Sequence, residues 1–128
     1  MQSLPSIPAT FTPTIAARAM TVTRHGRTDP LQVEIGQPVQ DVETVNGTDW
    51  RCPVRLRQGD TTTLHNACGI DSFQALQLAL ETVRIQLEEL AGEEGVSLQF
   101  LDCPYDVRTQ LPDTSHLRRA ASTQPPDE

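Results

Sequence analysis

A chain of 128 residues supports one domain, and its 4% aromatic content predicts a mostly aliphatic core. The formal net charge of −7 argues against nucleic acid or an anionic membrane as a partner, because both repel an acidic surface. No segment approaches the roughly 20 apolar residues that cross a bilayer, and the N-terminus lacks the basic start of a signal peptide. We therefore expect a cytoplasmic protein. Its arginines without any lysine are typical of a GC-rich bacterial genome.

Both ends of the chain are predicted to be flexible tails. Residues 1–13 contain three prolines and no charge. Residues 103–128 are polar, contain prolines and show no periodic apolar pattern. The ordered α+β domain is therefore expected at residues 14–102.

Short alternating segments predict the strands of this domain. The predicted strands are residues 15–23, 31–35, 50–57, 61–68 and 96–100. Residues 41–49 are predicted to be a loop with a turn at Asn46-Gly47, since polar and turn-forming side chains dominate there.

The segment Arg24-His25-Gly26-Arg27 follows the first strand and resembles the opening motif of the histidine phosphatases. In that family the histidine takes the phosphoryl group and arginines hold the phosphate, which would imply a small phosphoryl-handling enzyme. The chain is too short for that family, shows no second catalytic histidine and lacks its βαβ pattern. A polar hairpin loop and an arginine-bearing contact loop are the other interpretations. We predict no catalytic residue.

The apolar pattern predicts the register of the hairpin formed by the third and fourth strands. A two-residue turn would place Leu64 opposite Arg55 and mix the two faces. A three-residue connection instead places Leu64 opposite Leu56, and Cys68 opposite Cys52, on one buried face. We therefore predict the longer connection, which leaves the other face lined by arginines and positively charged.

The three cysteines are expected to be buried free thiols, and their odd number fits a reducing compartment. A zinc site built from Cys52, His65, Cys68 and Cys103 is disfavoured. The closely spaced C-x₂-C pairs of such sites are missing, and the predicted register puts His65 and Cys68 on opposite faces. We expect no metal and no cofactor. A disulfide between Cys52 and Cys68 in an oxidised sample stays open.

The most strongly organised segment predicts one long helix from Asp71 to Leu90. Asp71 and Gln74 form a D-x-x-Q capping box, and Gly92 ends the helix. An inner apolar stripe is expected to face the core, and it consists of Phe73, Leu76, Leu80, Val83, Leu87 and Leu90. We predict an α+β fold with a single mainly antiparallel sheet, in the order β-β-β-β-α-β, and one long amphipathic helix on one face.

The outer side of this helix is the predicted binding surface. Leu78 and Ile85 lie two turns apart on a line nearly opposite the inner stripe. Their acidic neighbours are Glu81, Glu88 and Glu89. Residues 71–105 carry seven acidic residues and one arginine, so this segment holds −6 of the net charge. The line is either two isolated surface aliphatics or a contact surface for a partner or a second copy. The acidic side is either merely solvated or complementary to a basic protein.

Two motifs resemble a small bacterial family of uncharacterised domains. They are the strand start Asp49-Trp50-Arg51-Cys52-Pro53 and the helix start Gly69-Ile70-Asp71-Ser72-Phe73-Gln74-Ala75-Leu76. The family carries D-W-x-C-P and G-x-D-x-x-Q-A-L at these places, and the resemblance spans about residues 15–102. It transfers no activity. Some small acidic α+β proteins of this kind resemble immunity proteins, which neutralise a toxin of the same or a neighbouring cell.

The sequence therefore predicts a non-enzymatic protein-binding domain, most specifically an immunity or antitoxin-type inhibitor of a basic toxin or effector. The predicted partner-binding residues are Leu78, Glu81, Ile85, Glu88, Glu89 and Trp50. Trp50 is either a lid on the core or a binding anchor. One alternative is a homodimeric accessory domain with Leu78 and Ile85 as its seam. The other is the phosphoryl-handling enzyme that uses the loop at Arg24, His25 and Gly26.

Overall fold

A computed structural model describes residues 7–111 as one antiparallel sheet of seven strands with a long helix packed against it. The elements are β1 (Thr14–Arg24), β2 (Arg27–Gly36), β3 (Val39–Thr44), β4 (Gly47–Gln58), β5 (Thr61–Gly69), α1 (Ser72–Ala91), β6 (Val96–Phe100), β7 (Cys103–Pro104) and α2 (Val107–Gln110). The predicted α+β class, with a mainly antiparallel sheet and one long helix, is confirmed. No helix within residues 7–111 is long and apolar enough to cross a membrane.

The sheet runs from β5 through β4, β2, β1 and β6 to β7. Strand β4 is long enough to pair with two strands along one side. Its first half pairs with β3 and its second half pairs with β2, while β5 pairs along its other side. Strand β3 and the start of β4 lie where a loop was predicted at residues 41–49. That prediction is wrong because only one of the six β3 residues is buried, and its polar side chains resemble those of a loop.

The β4–β5 hairpin has the register that the sequence analysis rejected. Its turn consists of Gly59, at φ +55°, and Asp60. Leu64 therefore lies opposite Arg55, and Cys52 lies opposite Ala67. The prediction assumed that only one face of β4 is buried, and the structure buries both.

Residues 7–13 cover the second face of the sheet at β4. The Thr10 carbonyl oxygen accepts a hydrogen bond of 2.6 Å from the Arg51 guanidinium, and the Arg55 guanidinium stacks 3.9 Å from the centre of the Phe11 ring. Arg51 is 1% exposed, and Pro53 beside it on the same face is also fully buried. A side chain such as Leu64 on this face therefore has a covering layer that the hairpin pattern does not reveal.

The predicted positive face is electrically neutralised. Asp41 accepts two hydrogen bonds from Arg51, at 2.8 and 3.1 Å, and Glu34 accepts one from Arg55 at 2.7 Å. Arg51 and Arg55 therefore meet carboxylates of the neighbouring strands rather than solvent, and Arg57, although 48% exposed, lies 3.4 Å from Glu34.

The packed region is longer at both ends than the predicted residues 14–102. Beyond residue 102, Tyr105 and Val107 are buried in the core, and the Tyr105 N–H donates a 2.9 Å hydrogen bond to the Leu98 carbonyl oxygen. Residues 103–111 are therefore part of the domain and not a tail. The remainder of the predicted C-terminal tail, and residues 1–6 of the predicted N-terminal one, lie outside the described residues.

The start of α1 uses the predicted cap with one change. Asp71 is the N-cap, and its carboxylate accepts a 2.8 Å hydrogen bond from the Gln74 N–H. The Gln74 amide oxygen accepts from the N–H of Ile70, one residue earlier than the capping box predicts. Gly92 caps the other end, so both boundaries agree with the sequence to within about one residue.

The inner side of α1 is rotated relative to the predicted stripe. Val83, Leu87 and Leu90 are buried as predicted, but Phe73 is 69% exposed and Leu80 is 37% exposed. Ala75 and Ala79 are instead completely buried at the helix–sheet contact. Small side chains belong here because α1 approaches β5 closely: a Cβ atom added to Gly69 would lie 2.6 Å from the Ala75 backbone nitrogen.

A single helix cannot cover the whole face of this sheet. A helix is about 10 Å wide and strands are spaced about 4.8 Å apart, so one helix covers roughly two strands. Helix α1 packs mainly on β4 and β5. Leu80 therefore lies beside β1 and β2 and stays partly exposed, and Phe73, two turns earlier on α1, is more exposed still.

Candidate functional site

The acidic side of α1 is partly withdrawn from the surface. Glu81 is 1% exposed, and its carboxylate lies 3.8 Å from the guanidinium of Arg84, which is also buried. Arg84 also donates a 3.0 Å hydrogen bond to Glu88. Glu81 therefore lies inside rather than on the predicted contact surface. Helical spacing alone predicts that Glu81 is on the surface. It cannot predict that Arg84, one turn away, is buried beside it.

The remaining residues of the predicted surface have different environments. Leu78 is half-buried and packs against the core, so it lies beside the helix–sheet contact rather than on an outer contact surface. Ile85 and Glu88 are half-buried, and Glu89 is exposed. Ile85, Glu88 and Glu89 thus form the part of the predicted surface that still faces outward.

Ile85 borders a groove of about 500 Å³ between α1 and β5. The groove is lined by Ile7, by Leu64, His65 and Asn66 of β5, and by Thr82, Ile85 and Gln86 of α1. Its lining mixes aliphatic and uncharged polar side chains. Such a surface offers both apolar contact and hydrogen bonds to an incoming chain.

The outer edge of β5 runs along this groove. Within residues 7–111, β5 forms strand pairing with β4 alone, which leaves its other side without a strand partner there. The nine residues Thr61–Gly69 contain no acidic residue, no arginine and no proline, and Thr61, Thr62 and Thr63 are exposed. Natural edge strands are commonly guarded by charges or prolines against pairing with other chains. The β3 edge, in contrast, carries Asp41 and Glu43.

Trp50 lies near the start of β4, opposite Gly69 at the end of β5, close to where α1 begins. It is partly buried and packs against the core cluster. This placement agrees with the lid interpretation, and it puts Trp50 at a different end of the hairpin from the groove at Ile85.

The Arg24-His25-Gly26 segment forms the tight turn between β1 and β2, with φ of +51° at His25 and +85° at Gly26. Arg24 is paired with Glu93 at 2.6 Å and also donates to Gln58. The His25 N–H donates a 2.9 Å hydrogen bond to the Gly95 carbonyl oxygen. The turn thus docks the first hairpin on the loop after α1, and a phosphate group would have to displace Glu93 from Arg24.

A family model described as a domain of unknown function (DUF6968) matches residues 16–111. The chain belongs to the DUF6968 family. No curated protein and no solved structure matches it. The DUF6968 match covers the sheet, α1 and α2, and it ends at the last residue that the structure describes.

The thiols of this DUF6968 domain are separated by the sheet. Cys52 is completely buried, and its thiol donates a hydrogen bond to the Gly36 carbonyl oxygen at 3.2 Å. Cys68 points to the opposite face, because it is adjacent to Ala67, the partner of Cys52. Burial raises the pKa of the Cys52 thiol to about 11 and also raises the pKa of Cys68. All three thiols are free. Within residues 7–111, no three His, Cys, Asp or Glu side chains form a metal-binding cluster.

Sequence reasoning missed that one edge of β5 has no strand partner within residues 7–111 of this DUF6968 domain. The available signal was the uncharged run from Thr61 to Gly69. That run predicts a strand in any position, and only the pairing order of the sheet identifies it as an edge.

Proposed function

We propose that this chain is a non-enzymatic protein-binding domain whose partner adds a strand to the free edge of β5, beside Ile85. The single observation that carries the proposal is the nine-residue edge without a charge or a proline. Strand addition is a common mode of recognition, because the backbone of an edge strand offers a row of unused hydrogen-bonding groups.

The groove beside this edge supplies side-chain contacts for the added strand. Successive side chains of a strand point to opposite faces, so every second side chain of the partner would face α1. Ile85 and Gln86 of α1 would meet those side chains, while Leu64 and Asn66 line the groove on the other face of β5 and would meet the alternate ones. The backbone pairing gives affinity in this arrangement, and the groove gives selectivity.

The kind of partner that we propose is a basic protein, with this chain acting as an immunity or antitoxin-type inhibitor. Glu88 and Glu89 follow Ile85 by about one turn of α1, and the whole chain carries a net charge of −7. Opposite charges accelerate the encounter of two proteins and suppress wrong partners. We place this function in the cytoplasm of a bacterium, which the free cysteines support.

A complementation experiment tests this proposal in a strain that carries the adjacent gene. Removal of the gene for this chain is expected to impair growth, because the partner is then uninhibited. The wild-type chain and a Val45→Asp control should restore growth, since Val45 is completely exposed in a distant turn. Ile85→Asp and Thr63→Lys should fail to restore it, although both proteins fold. Unimpaired growth of the deletion strain with no co-purifying protein, or full rescue by both variants, would contradict the proposal.

A homodimer is the second candidate, and the same edge favours it. An antiparallel sheet whose edge strand carries no charge can continue into the β5 strand of a second copy. Sedimentation equilibrium decides between the two candidates. A dimer mass that Thr63→Lys reduces to a monomer would support self-pairing. A monomer mass at all concentrations would rule it out and leave the heterologous partner.

A further inference from the structure

A second groove lies where α1 leaves β1 and β2 uncovered, away from the β5 edge. Its volume is about 190 Å³. Met20, Val33 and Ile35 form its apolar floor, and Leu80 and Val83 of α1 form one wall. Tyr105 and Leu111 lie on the other side. Phe73 is two turns before Leu80 on the same line of α1, so the exposed apolar surface continues beyond the groove.

Arg18 is the one charged residue among the described residues that line this groove. Its guanidinium carbon lies 4.5 Å from the centre of the Phe100 ring and 5.9 Å from that of Tyr105. One guanidinium nitrogen donates a 3.0 Å hydrogen bond to the Tyr105 hydroxyl. The two rings meet edge to face at 6.0 Å, so the cation is held in a fixed place by aromatic contacts.

Arg18 differs from most arginines of the domain in having no carboxylate partner within residues 7–111. Six of the eight arginines in residues 7–111 lie within 4.0 Å of an Asp or Glu oxygen, namely Arg24, Arg27, Arg51, Arg55, Arg57 and Arg84. Of the other two, Arg108 is exposed and Arg18 is half-buried. A half-buried guanidinium loses part of its hydration, and its planar fork of N–H donors matches a carboxylate well.

We propose that this groove binds a small hydrophobic monocarboxylic acid, with the carboxylate on Arg18 and the hydrocarbon chain on the floor at Met20 and Val33. Apolar walls and a single cation match the two parts of such a molecule, and no acidic residue lies among the described lining residues. A cavity of about 150 Å³ in another protein holds benzene. The groove therefore fits an acyl chain of about six to eight carbons.

The charge requirement is tested with octanoate, 1-octanol and octylamine on the full chain by isothermal titration calorimetry. Octanoate is expected to bind saturably and at least about tenfold more tightly than 1-octanol, since a hydrogen-bonded ion pair is added to the same apolar contact. Octylamine should not bind, because it places a second cation beside Arg18. Octanoate binding no tighter than that of 1-octanol would overturn the proposal.

Two variants and a matched control locate the site. Arg18→Gln should weaken octanoate binding about tenfold to a hundredfold and leave 1-octanol unchanged. Arg27→Gln is the control, because it makes the same substitution at a side chain that is 82% exposed, and it should bind like the wild type. Ala16→Leu narrows the groove from an exposed position and should weaken octanoate and 1-octanol alike. If Ala16→Leu binds both ligands normally, the ligand lies elsewhere and the proposal is wrong, whether or not Arg18→Gln folds.

Discussion

Arg51 joins three separate segments of the chain through one buried guanidinium. It donates to Asp41 of β3, to the carbonyl and hydroxyl oxygens of Thr10, and to the side chain of Asn66 in β5. A buried charge is tolerated only when it is paired and hydrogen-bonded, and this one meets both conditions. The residue that the sequence placed on an open positive face is therefore a structural centre of the second face.

The dependence of Arg51 on Asp41 gives a matched stability prediction. Asp41→Ala leaves a guanidinium buried without its carboxylate and should lower the free energy of unfolding by about 3–5 kcal/mol. Asp29→Ala is the control, because the two aspartates are equally exposed, at 35%, but the Asp29 partner Arg27 is 82% exposed. Asp29→Ala should lower the free energy of unfolding by at most about 1 kcal/mol. Urea denaturation measures both, and equal losses would show that the burial of the partner does not matter.

The buried thiol of Cys52 predicts a loss of stability in alkaline solution. Burial raises its pKa in the folded protein from 9.0 to about 11. The unfolded thiol ionises first as the pH rises above 9, so the free energy of unfolding should fall between pH 9 and pH 11, by about 1–3 kcal/mol. The fall should be smaller in Cys52→Ala. Urea denaturation measures the free energy of unfolding of the wild type and Cys52→Ala at each pH. Identical pH dependence in the two proteins would show that Cys52 is not the cause.

At the scale of the element, α1 is positioned by its smallest side chains. Ala75 lies where α1 approaches Gly69 of β5 most closely, Ala79 one turn later is also completely buried, and larger residues occupy the flanks of the contact. The six-residue stripe of the sequence analysis has its centre on the side of Leu80 rather than on the alanines. A search for apolar periodicity gives most weight to large side chains. A helix that lies close to a sheet needs small side chains at the contact.

Two truncations on α1 separate the predicted stripe from the observed one. Leu87→Ala should lower the free energy of unfolding by about 2–5 kcal/mol, since Leu87 is 1% exposed and leaves a cavity. Phe73→Ala should cost less than about 1 kcal/mol, although it removes a larger side chain, because Phe73 is 69% exposed. Thermal denaturation of both variants distinguishes the cases. If Phe73→Ala lowers the free energy of unfolding as much as Leu87→Ala does, Phe73 belongs to the core after all.

The sequence predicts the elements whose signals are local. It does not predict strand register or side-chain burial where a second layer of the structure determines them. The Asp71 cap and the α1 helix follow from residues within one or two turns. The register of Leu64 depends on Phe11 and its neighbours, more than fifty positions away in the chain. Glu81 has the spacing of a surface residue, and its burial beside Arg84 depends on packing that no periodicity contains.

At the scale of the whole molecule, the sheet is covered on both faces by parts of one short chain. Helix α1 covers one face at β4 and β5, and residues 7–13 cover the other. The carbonyl oxygens of Pro8 and Thr10 accept hydrogen bonds from Asn66 and Arg51, respectively. Residues 7–13 therefore form hydrogen bonds with the sheet as well as packing contacts. The domain thus has three layers at its centre and fewer at its β1 side.

Removal of residues 1–13 tests whether the segment is a layer or a tail. We expect the free energy of unfolding to fall by several kcal/mol, because Arg51 loses two hydrogen bonds and Asn66 loses one. A protein that lacks only residues 1–6 keeps every contact described for residues 7–13 and should stay close to the full chain. Equal urea midpoints for all three proteins would identify residues 7–13 as a tail.

The pairing of β1 with β6 sets the order in which the molecule is completed during synthesis. Arg24 and Val96 are paired neighbours in the sheet, although roughly 70 residues separate them. A ribosome adds about 5–20 residues per second, so one edge of β1 waits about 4–14 seconds for its partner strand. Phe100 arrives with β6, and Arg18 has no aromatic ring beneath it until then. The end of the groove at Arg18 can therefore form only after Phe100 and Tyr105 have been synthesised, late in the synthesis of the domain.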